Sequence, residues 1–190
     1  MYKQCRTEQS TNRQRDMEQG LLQMMLRQQF EEISVSSLCS RIGIPRKSFY
    51  RYFDSKEGAL YALIDHTLMN WNLSNITNYQ ESVPLRYMEQ VFSYWIQQKP
   101  LLDALERSGL SGLLVQRSLE YTGELNTVPN FMQIREKRLR EYGTMFTVCG
   151  LMSMIVRWHH DGFPNSVEEM SRLAMQLFSQ PLFTGAWSTE

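Results

Sequence analysis

Apolar residues recur along the chain at the spacing of an α-helix. The clearest case is a stripe at positions i, i+3, i+4, i+8 and i+11, formed by Leu60, Leu63, Ile64, Leu68 and Trp71. The sequence holds no sustained strand-like alternation of apolar and polar residues, and no repeat or low-complexity segment. The pattern predicts an all-α protein of about nine helices.

Two helices are predicted in the first 43 residues. The first begins near residues 10–12 and runs to about Gln29. The second is short. Ser34 suits its N-cap because a serine hydroxyl accepts a backbone N–H there, and Gly43 suits its end because glycine adopts positive φ freely.

A third short helix and the start of a fourth are predicted next. Pro45 lies where proline is tolerated, in the first turn of a helix that reaches Tyr52. Asp54 and Glu57 have the spacing of a capping box for the fourth helix, and Ser55 is the alternative cap. The fourth helix carries the stripe described above.

The rest of the chain is divided by prolines, glycines and polar segments. The polar segment 70–82 is predicted to contain a loop. Five further helices are predicted to begin at Pro84, between Pro100 and Gly109, at Leu110, after Pro129 and at Ser166. The long helix after Pro129 ends at His160, and Ser166 with Glu169 forms a capping box.

Charge is distributed unevenly although the net charge is zero. Residues 1–56 hold ten Lys or Arg and six Asp or Glu, so this part carries +4 and the remainder carries −4. A basic head on an acidic body suits a head that binds phosphate. We therefore divide the chain into a basic domain, residues 1–56, and a helical domain, residues 57–190.

Nothing in the sequence predicts a membrane segment. The start of the chain lacks the apolar run of a signal peptide. The longest uncharged apolar stretch, residues 143–156, has 14 residues, whereas a membrane span needs about 20. Three widely separated cysteines form no CxxC pair, which fits a reducing compartment. We expect a cytoplasmic protein.

The two short helices between Ser34 and Tyr52 have the proportions of a helix-turn-helix. The second would present three cations and two tyrosine hydroxyls while Ile44, Phe49 and Phe53 point inward. Such a set suits the major groove, since Arg bonds guanine in a bidentate way and Lys or Tyr reaches phosphates. The alternative is a solvated basic helix in an ordinary bundle.

Residues 34–57 closely resemble the pattern of TetR-family (TetR/AcrR-like) regulators. The features are a capped short helix with a small residue at Cys39, Gly43-Ile44 at the turn, the run Ser48-Phe49-Tyr50-Arg51-Tyr52-Phe53, and Lys56 after the next turn. The resemblance covers about residues 11–70, with a weaker likeness from 146 to 178 to small members. Pro45 departs from the small polar residue that is commoner there.

The resemblance implies a role for each matching residue. Tyr50, Tyr52 and Lys56 would contact phosphates. Arg46, Lys47 and Ser48 would face bases or the nearby backbone, and Ser34 and Ser36 would approach the backbone from the supporting helix. Tyr52 also fits a core tyrosine. The implied partner is a double-stranded DNA operator.

The resemblance also implies a ligand cavity in the C-terminal helices. Its candidate lining is Met88, Phe92, Trp95, Leu102, Leu105, Leu113, Arg117, Tyr121, Tyr142 and Phe146. Such apolar and aromatic residues suit a small apolar ligand, and each also fits a plain core. Arg117 would either anchor an anionic ligand or pair with Glu120 or Glu124.

The long helix predicts a homodimer. Residues 142–156 are apolar on nearly all sides, and a chain this small buries one face of such a helix by itself. A four-helix interface with the last helix, residues 166–180, would cover the other face, as the resemblance also implies. The candidate interface residues are Val148, Met152, Ile155, Met170, Leu173 and Leu177.

The predicted function is a sequence-specific DNA-binding transcription regulator, a repressor released from a near-palindromic operator by a small apolar ligand. The alternative is a regulator without such a ligand, controlled by a protein partner or acting as an activator. No catalytic residue set stands out, so an enzyme is not expected. No cofactor or metal is expected, because the adjacent His159 and His160 point to different helix faces.

Overall fold

The computed structural model describes residues 1–75, 84–124 and 136–179. Within these ranges it contains nine α-helices and no strand beyond one isolated bridge, so the predicted all-α class with about nine helices is confirmed. Two compact units are present, Met1–Ile76 with Gln98–Thr127, and Thr77–Gln97 with Val128–Glu190. The first contains all of residues 1–56 and three further helices.

The first unit is built around helix α1. Its helices are α1 Glu8–Met25, α2 Val35–Ile42, α3 Arg46–Phe49, α4 Lys56–Asn75, α6 Lys99–Arg107 and α7 Ser111–Glu124. Helix α1 packs against α2, α4 and α6, and α7 packs against α4 and α6. The fully buried side chains include Leu21, Met25, Leu38, Phe49 and Ile64, and they form the core of this unit.

The second unit is formed by α5 Pro84–Gln97, α8 Lys137–His160 and α9 Val167–Ser179. Helix α5 packs against both α9 and α8. Phe92 and Trp158 meet edge to face with ring centroids 5.5 Å apart, and Trp95 is also buried. In the turn after α8, Phe163 takes a φ of 58°, and its ring packs edge to face on Trp158. That contact offsets a left-handed conformation that costs about 1–2 kcal/mol.

The first helix is shifted from its predicted position. It begins at Glu8, because Thr7 and Ser10 form a capping box, and it ends at Met25, not at Gln29. A 3-10 turn, Phe30–Glu32, follows. Phe30 and Ile33 are buried, so the chain turns early to bring both side chains into the core.

The third and fourth helices also differ from their predictions. Helix α3 ends at Phe49 instead of reaching Tyr52. Ser55, not Asp54, caps α4, since its hydroxyl accepts the Gly58 N–H at 3.3 Å. Helix α4 continues to Asn75, within the segment 70–82 that is predicted to contain the following loop. The rest of that segment, the predicted break at Pro129 and the predicted end at Gln180 lie outside the described residues.

Candidate nucleic-acid interface

Helix α2 supports the candidate interface, and a reciprocal cap fixes its start. The Ser34 hydroxyl accepts the Ser37 N–H at 3.0 Å, and the Ser37 hydroxyl accepts the Ser34 N–H at 3.0 Å. Leu38 and Cys39 lie on the buried face of α2, and burial raises the pKa of the Cys39 thiol. The hydroxyl of Ser34 is therefore engaged within the cap, whereas Ser36 is exposed.

A glycine sets the angle between α2 and α3. Gly43 has φ 70° and ψ 34°, a left-handed conformation that side-chain-bearing residues rarely adopt. The Ile44 N–H bonds the Cys39 carbonyl at 3.0 Å, which satisfies a carbonyl at the end of α2. Pro45 then precedes the first residue of α3, with φ −66°. The predicted helix-turn-helix geometry at this turn is confirmed.

Two phenylalanines anchor α3 from below. Phe49 and Phe53 are both fully buried, with ring centroids 5.1 Å apart. The Tyr52 N–H bonds the Phe49 carbonyl at 2.9 Å, so the chain tightens to a 3-10-like turn after α3. This tightening places Phe53 in the core, and it explains why the helix is shorter than predicted.

The outer side of α3 carries charge and aromatic surface. Arg46 and Lys47 are exposed, and Tyr50 is 42% exposed. The Arg46 guanidinium donates to the Tyr50 hydroxyl at 3.4 Å and lies 5.9 Å from that ring's centroid. The bond to Tyr50 raises the pKa of Arg46 further, so the guanidinium stays charged. Ser48 and Tyr52 are half-buried at the edges of this surface.

Lys56 has partners that sequence reasoning missed. Its ammonium donates to the carbonyls of Phe30 and Glu31 at 2.8 and 3.0 Å and lies 4.5 Å from the Phe30 ring centroid. It therefore closes the 3-10 turn ahead of α2. An ammonium group has three donors, so one donor remains for a phosphate. Nothing in the local sequence indicates carbonyl partners 25 residues away.

Arg117, a candidate ligand anchor, is engaged in ion pairs. Its Nε donates to Asp65 Oδ1 at 2.8 Å, and further bonds from its guanidinium reach Asp65 and Glu120. The guanidinium also lies 5.1 Å from the Tyr61 ring centroid. The predicted alternative of pairing with Glu120 is confirmed, and Asp65 on α4 is the partner that the sequence did not indicate. The bond to Asp65 raises the pKa of Arg117.

The candidate ligand lining falls into both compact units. Leu102, Leu105, Leu113, Arg117 and Tyr121 belong to the first unit, and the other five residues belong to the second. Met88, Phe92 and Trp95 are buried, but Tyr142 and Phe146 are 65% and 64% exposed. Within the described residues, these two aromatics are therefore not enclosed as a cavity lining would be. Residue spacing puts them on α8 but does not reveal which face of α8 the other helices cover.

A groove of about 860 Å³ lies elsewhere in the first unit. Residues of the segment that follows α1, of the 3-10 turn and of α6 line it, namely Leu26, Arg27, Gln28, Gln29, Glu32, Asp103, Glu106 and Arg107. No residue of the candidate ligand lining contributes to this groove. Its walls are mostly charged or polar, so it does not resemble an apolar ligand cavity.

The candidate dimer residues divide into two groups. Met152, Ile155 and Met170 are buried within the chain, so they expose little side-chain surface to a second copy. Val148 and Leu177 are half-buried, and Leu173 is 45% exposed. Because residues 142–156 are apolar on nearly all sides, periodicity could not select the outward face. The large exposed apolar side chains of α8 are Leu139, Tyr142, Met145 and Phe146.

Within residues 1–75, 84–124 and 136–179, no helix has both the length and the apolar character that crossing a membrane requires.

Comparison with known proteins identifies the fold. No protein-family model matches the sequence, and no curated protein is significantly similar to it. The dihydroxyacetone kinase operon activator DhaS matches with a TM-score of 0.55 and 12% identity, over 87% of this chain and 93% of that one.

Two further solved structures are similar. A TetR-family transcriptional regulator from Streptomyces coelicolor has a TM-score of 0.57 and 18% identity, over 88% of this chain and 79% of that one. The fatty acid degradation regulator FadR from Bacillus halodurans has a TM-score of 0.54 and 13% identity, over 94% and 98%. The chain therefore has the all-α, TetR-like fold that the resemblance of residues 34–57 implies.

Proposed function

We propose that the chain is a sequence-specific DNA-binding transcription regulator that acts as a homodimer in the cytoplasm. One observation carries the proposal. Helix α3 buries Phe49 fully while Arg46 and Lys47 stay exposed and Tyr50 stays partly exposed beside them. A one-turn helix that presents such a set, after a helix-turn-helix bend, suits insertion into the major groove.

In this proposal the side chains divide the work of binding. Arg46 and Ser48 face base edges, and Lys47, Tyr50, Tyr52 and Lys56 contact phosphates. Ser34 and Ser36, at the start of α2, approach the backbone. The arrangement of Arg46 against Tyr50 pre-orients the guanidinium, which lowers the entropy lost on binding. Phosphate contacts supply affinity and base contacts supply selectivity.

Selection of bound DNA from a random pool tests this function. We expect enrichment of a near-palindrome whose half-sites lie about one helical turn apart, roughly 34–36 Å, or a multiple of that distance. Arg46→Ala should relax the preference at one base position of each half-site. Lys99→Ala, a change at an exposed cation of α6 outside the proposed DNA and dimer contacts, is the matched control and should leave the selected sequence unchanged. Absence of any enriched sequence would contradict the proposal.

The dimer in this proposal uses the exposed side of α8. Leu139, Tyr142, Met145 and Phe146 are each more than half exposed, and exposed apolar patches mark interaction sites. Leu173 on α9 contributes a further exposed apolar side chain. A second copy would cover these residues, and sedimentation equilibrium would measure the association.

Release from DNA by a small apolar ligand is a second part of the proposal. It is supported by the aromatic side chains of α5, because Phe92 meets Trp158 edge to face and Trp95 is buried. Operator affinity measured while a fluorescent apolar probe is titrated tests this idea. Unchanged affinity at saturation with the probe, and with a panel of acyl and aromatic compounds, would instead favour a regulator controlled by a protein partner.

A further inference from the structure

The N-terminal arm, defined here as Met1–Cys5, lies along the segment that follows helix α3. Tyr2 and Phe53 form an isolated antiparallel bridge. The Lys3 N–H donates to the Tyr52 carbonyl at 2.9 Å, and the Asp54 N–H donates to the Met1 carbonyl at 3.2 Å. The arm therefore satisfies backbone groups of residues 52–54, next to the candidate phosphate contact Tyr52.

The side chain of Tyr2 connects the arm to α4. Its hydroxyl donates to Asp65 Oδ2 at 2.8 Å, and its ring meets the His66 ring edge to face at 5.7 Å. Burial, followed by the bond to Asp65, raises the pKa of Tyr2, so the hydroxyl stays a donor. Asp65 is also held by Arg117 from α7. One carboxylate thus joins the arm, α4 and α7.

His66, the residue after Asp65, connects α4 to α1. Nδ1 of His66 lies 2.9 Å from both carboxylate oxygens of Glu18, a residue that is fully buried. Gln14, also on α1, donates from its side chain to the Lys3 carbonyl at 3.2 Å. The arm is therefore bound to α1 and α4 by side chains and to the end of the helix-turn-helix by its backbone.

The absence of a side chain at Gly58 lets the arm pack against α4. A Cβ atom at this position would lie 2.4 Å from the Met1 carbonyl oxygen, which is far inside van der Waals contact. The clashing atom belongs to the backbone, so no side-chain rotation relieves the overlap. Any residue larger than glycine at position 58 would displace the arm.

We infer that the arm positions the recognition helix α3, with Tyr2 as the positioning residue, and thereby raises operator affinity without touching DNA. Helix α3 is four residues long, too short to hold its own place. The segment that follows α3, residues 52–54, is held in place by Phe53 in the core and by the backbone hydrogen bonds to Met1 and Lys3. This inference rests on the proposed function.

Tyr2→Phe tests the inference, because it removes one hydroxyl and keeps the ring. We expect operator affinity to fall about three- to tenfold, as the binding-competent placement of α3 becomes less populated. The slope of affinity against salt should not change, since no phosphate contact is lost. Amide exchange of Lys3 and Asp54, measured without DNA, should become faster because the arm detaches more often.

Gly58→Ala provides an independent second variant. It should weaken operator binding by a similar factor and speed the same two amides. Gly112→Ala on α7 is the matched control, since no atom would lie within 4 Å of the new Cβ, and its operator affinity should equal that of the parent chain. The loss in the Tyr2→Phe/Gly58→Ala double variant should be smaller than the product of the two single losses, because both detach the same arm.

Each contrary outcome has a distinct meaning. Parental operator affinity in both variants would overturn the inference and leave the proposed function standing. A reduced salt slope in Tyr2→Phe would show that the arm contacts DNA and would overturn the positioning role. Unchanged amide exchange would show that the hydroxyl does not hold the arm. A parent chain that selects no DNA would overturn the proposed function, and the inference with it.

Discussion

The helix-turn-helix, residues 34–56, and helix α8 differ in how far they bury their apolar side chains. In the first region Leu38, Phe49 and Phe53 are fully buried, and most exposed side chains are polar or charged, with Tyr50 the exposed aromatic. In α8, Ile155 and Trp158 are buried, yet Tyr142 and Phe146 remain about two-thirds exposed. The first region completes its packing within one chain. The second leaves apolar side chains exposed within the described residues, and this is the surface that the proposed dimer would cover.

The largest expected effect comes from placing a charge on the exposed face of α8. Phe146→Glu would put a carboxylate at the centre of the proposed dimer contact, where loss of an aromatic anchor costs about 2–4 kcal/mol. We expect the dimer dissociation constant to rise by about 100-fold or more, measured by sedimentation equilibrium. Operator binding should weaken in parallel.

A matched control separates dimer loss from a general effect of charge. Met69→Glu places the same charge at an exposed apolar position of α4. It should leave self-association unchanged. Equal association of Phe146→Glu and the parent chain would mean that α8 is not the dimer contact. The exposed aromatic side chains of α8 would then have a different role.

The next effect tests whether the helix-turn-helix is fixed by its own local geometry. Gly43→Ala places a side chain at φ 70°, and no atom would lie within 4 Å of the new Cβ. The cost is therefore one of backbone conformation, about 1–2 kcal/mol. A urea titration should show the loss. Gly112→Ala, where φ is not positive, should be neutral or stabilising by up to about 1 kcal/mol. A neutral Gly43→Ala would mean that the turn adapts freely.

A smaller effect concerns a single phosphate contact. Lys47→Ala should lower operator affinity several-fold and reduce the dependence of log affinity on log salt by about 0.9, since one fewer counterion is released. Binding titrations at several salt concentrations measure both quantities. Lys99→Ala removes an exposed cation of α6, outside the proposed DNA and dimer contacts, and should change neither. An unchanged slope for Lys47→Ala would remove this lysine from the proposed interface.

The smallest effect tests whether α9 begins with a cap of the same kind as α2. The Glu169 carboxylate accepts the Ser166 N–H at 2.7 Å, and this bond lowers the pKa of Glu169. A lowered folded-state pKa means that the stabilisation is present above the unfolded value of about 4.3 and is lost as the pH falls through the folded value. Glu169→Gln should therefore be less stable than the parent near neutral pH and equal to it in acid.

A neighbouring carboxylate provides the control for this titration. Glu168→Gln removes the same formal charge from the same turn but leaves the Ser166 N–H bond in place. Urea unfolding from neutral to acidic pH measures the differences. If the two variants behave alike at every pH, the charge and not the cap accounts for the effect.

The sequence predicts the helix-turn-helix well because its determinants are local. The Ser34 cap, the left-handed Gly43 and the buried Phe49 act on residues within a few positions of themselves. The capping box of Ser166 and Glu169 is recognisable for the same reason. Local rules failed where two of them competed, as at Asp54 and Ser55. They also failed where burial of Phe30 and Phe53 shortened a helix.

Three of the contacts that the sequence did not predict join residues that are distant in the chain. Lys56 reaches carbonyls 25 residues earlier, Arg117 reaches an aspartate 52 residues earlier, and Tyr2 reaches the same aspartate 63 residues later. Neither spacing nor composition encodes such pairs. The buried face of α8 was not predictable for a related reason. In a helix that is apolar on nearly all sides, the spacing of apolar residues does not distinguish the buried face from the exposed one.

In the proposed function, the brevity of helix α3 would limit how much DNA sequence one copy of the chain can discriminate. Four residues rise about 6 Å along a helix axis, which is less than two base-pair steps of about 3.4 Å each. With each correct base pair contributing about 1–3 kcal/mol, one such helix could not distinguish its target from the roughly 10⁶–10⁹ competing sites of a genome. Target choice would therefore depend as much on the distance between two half-sites as on the bases within them.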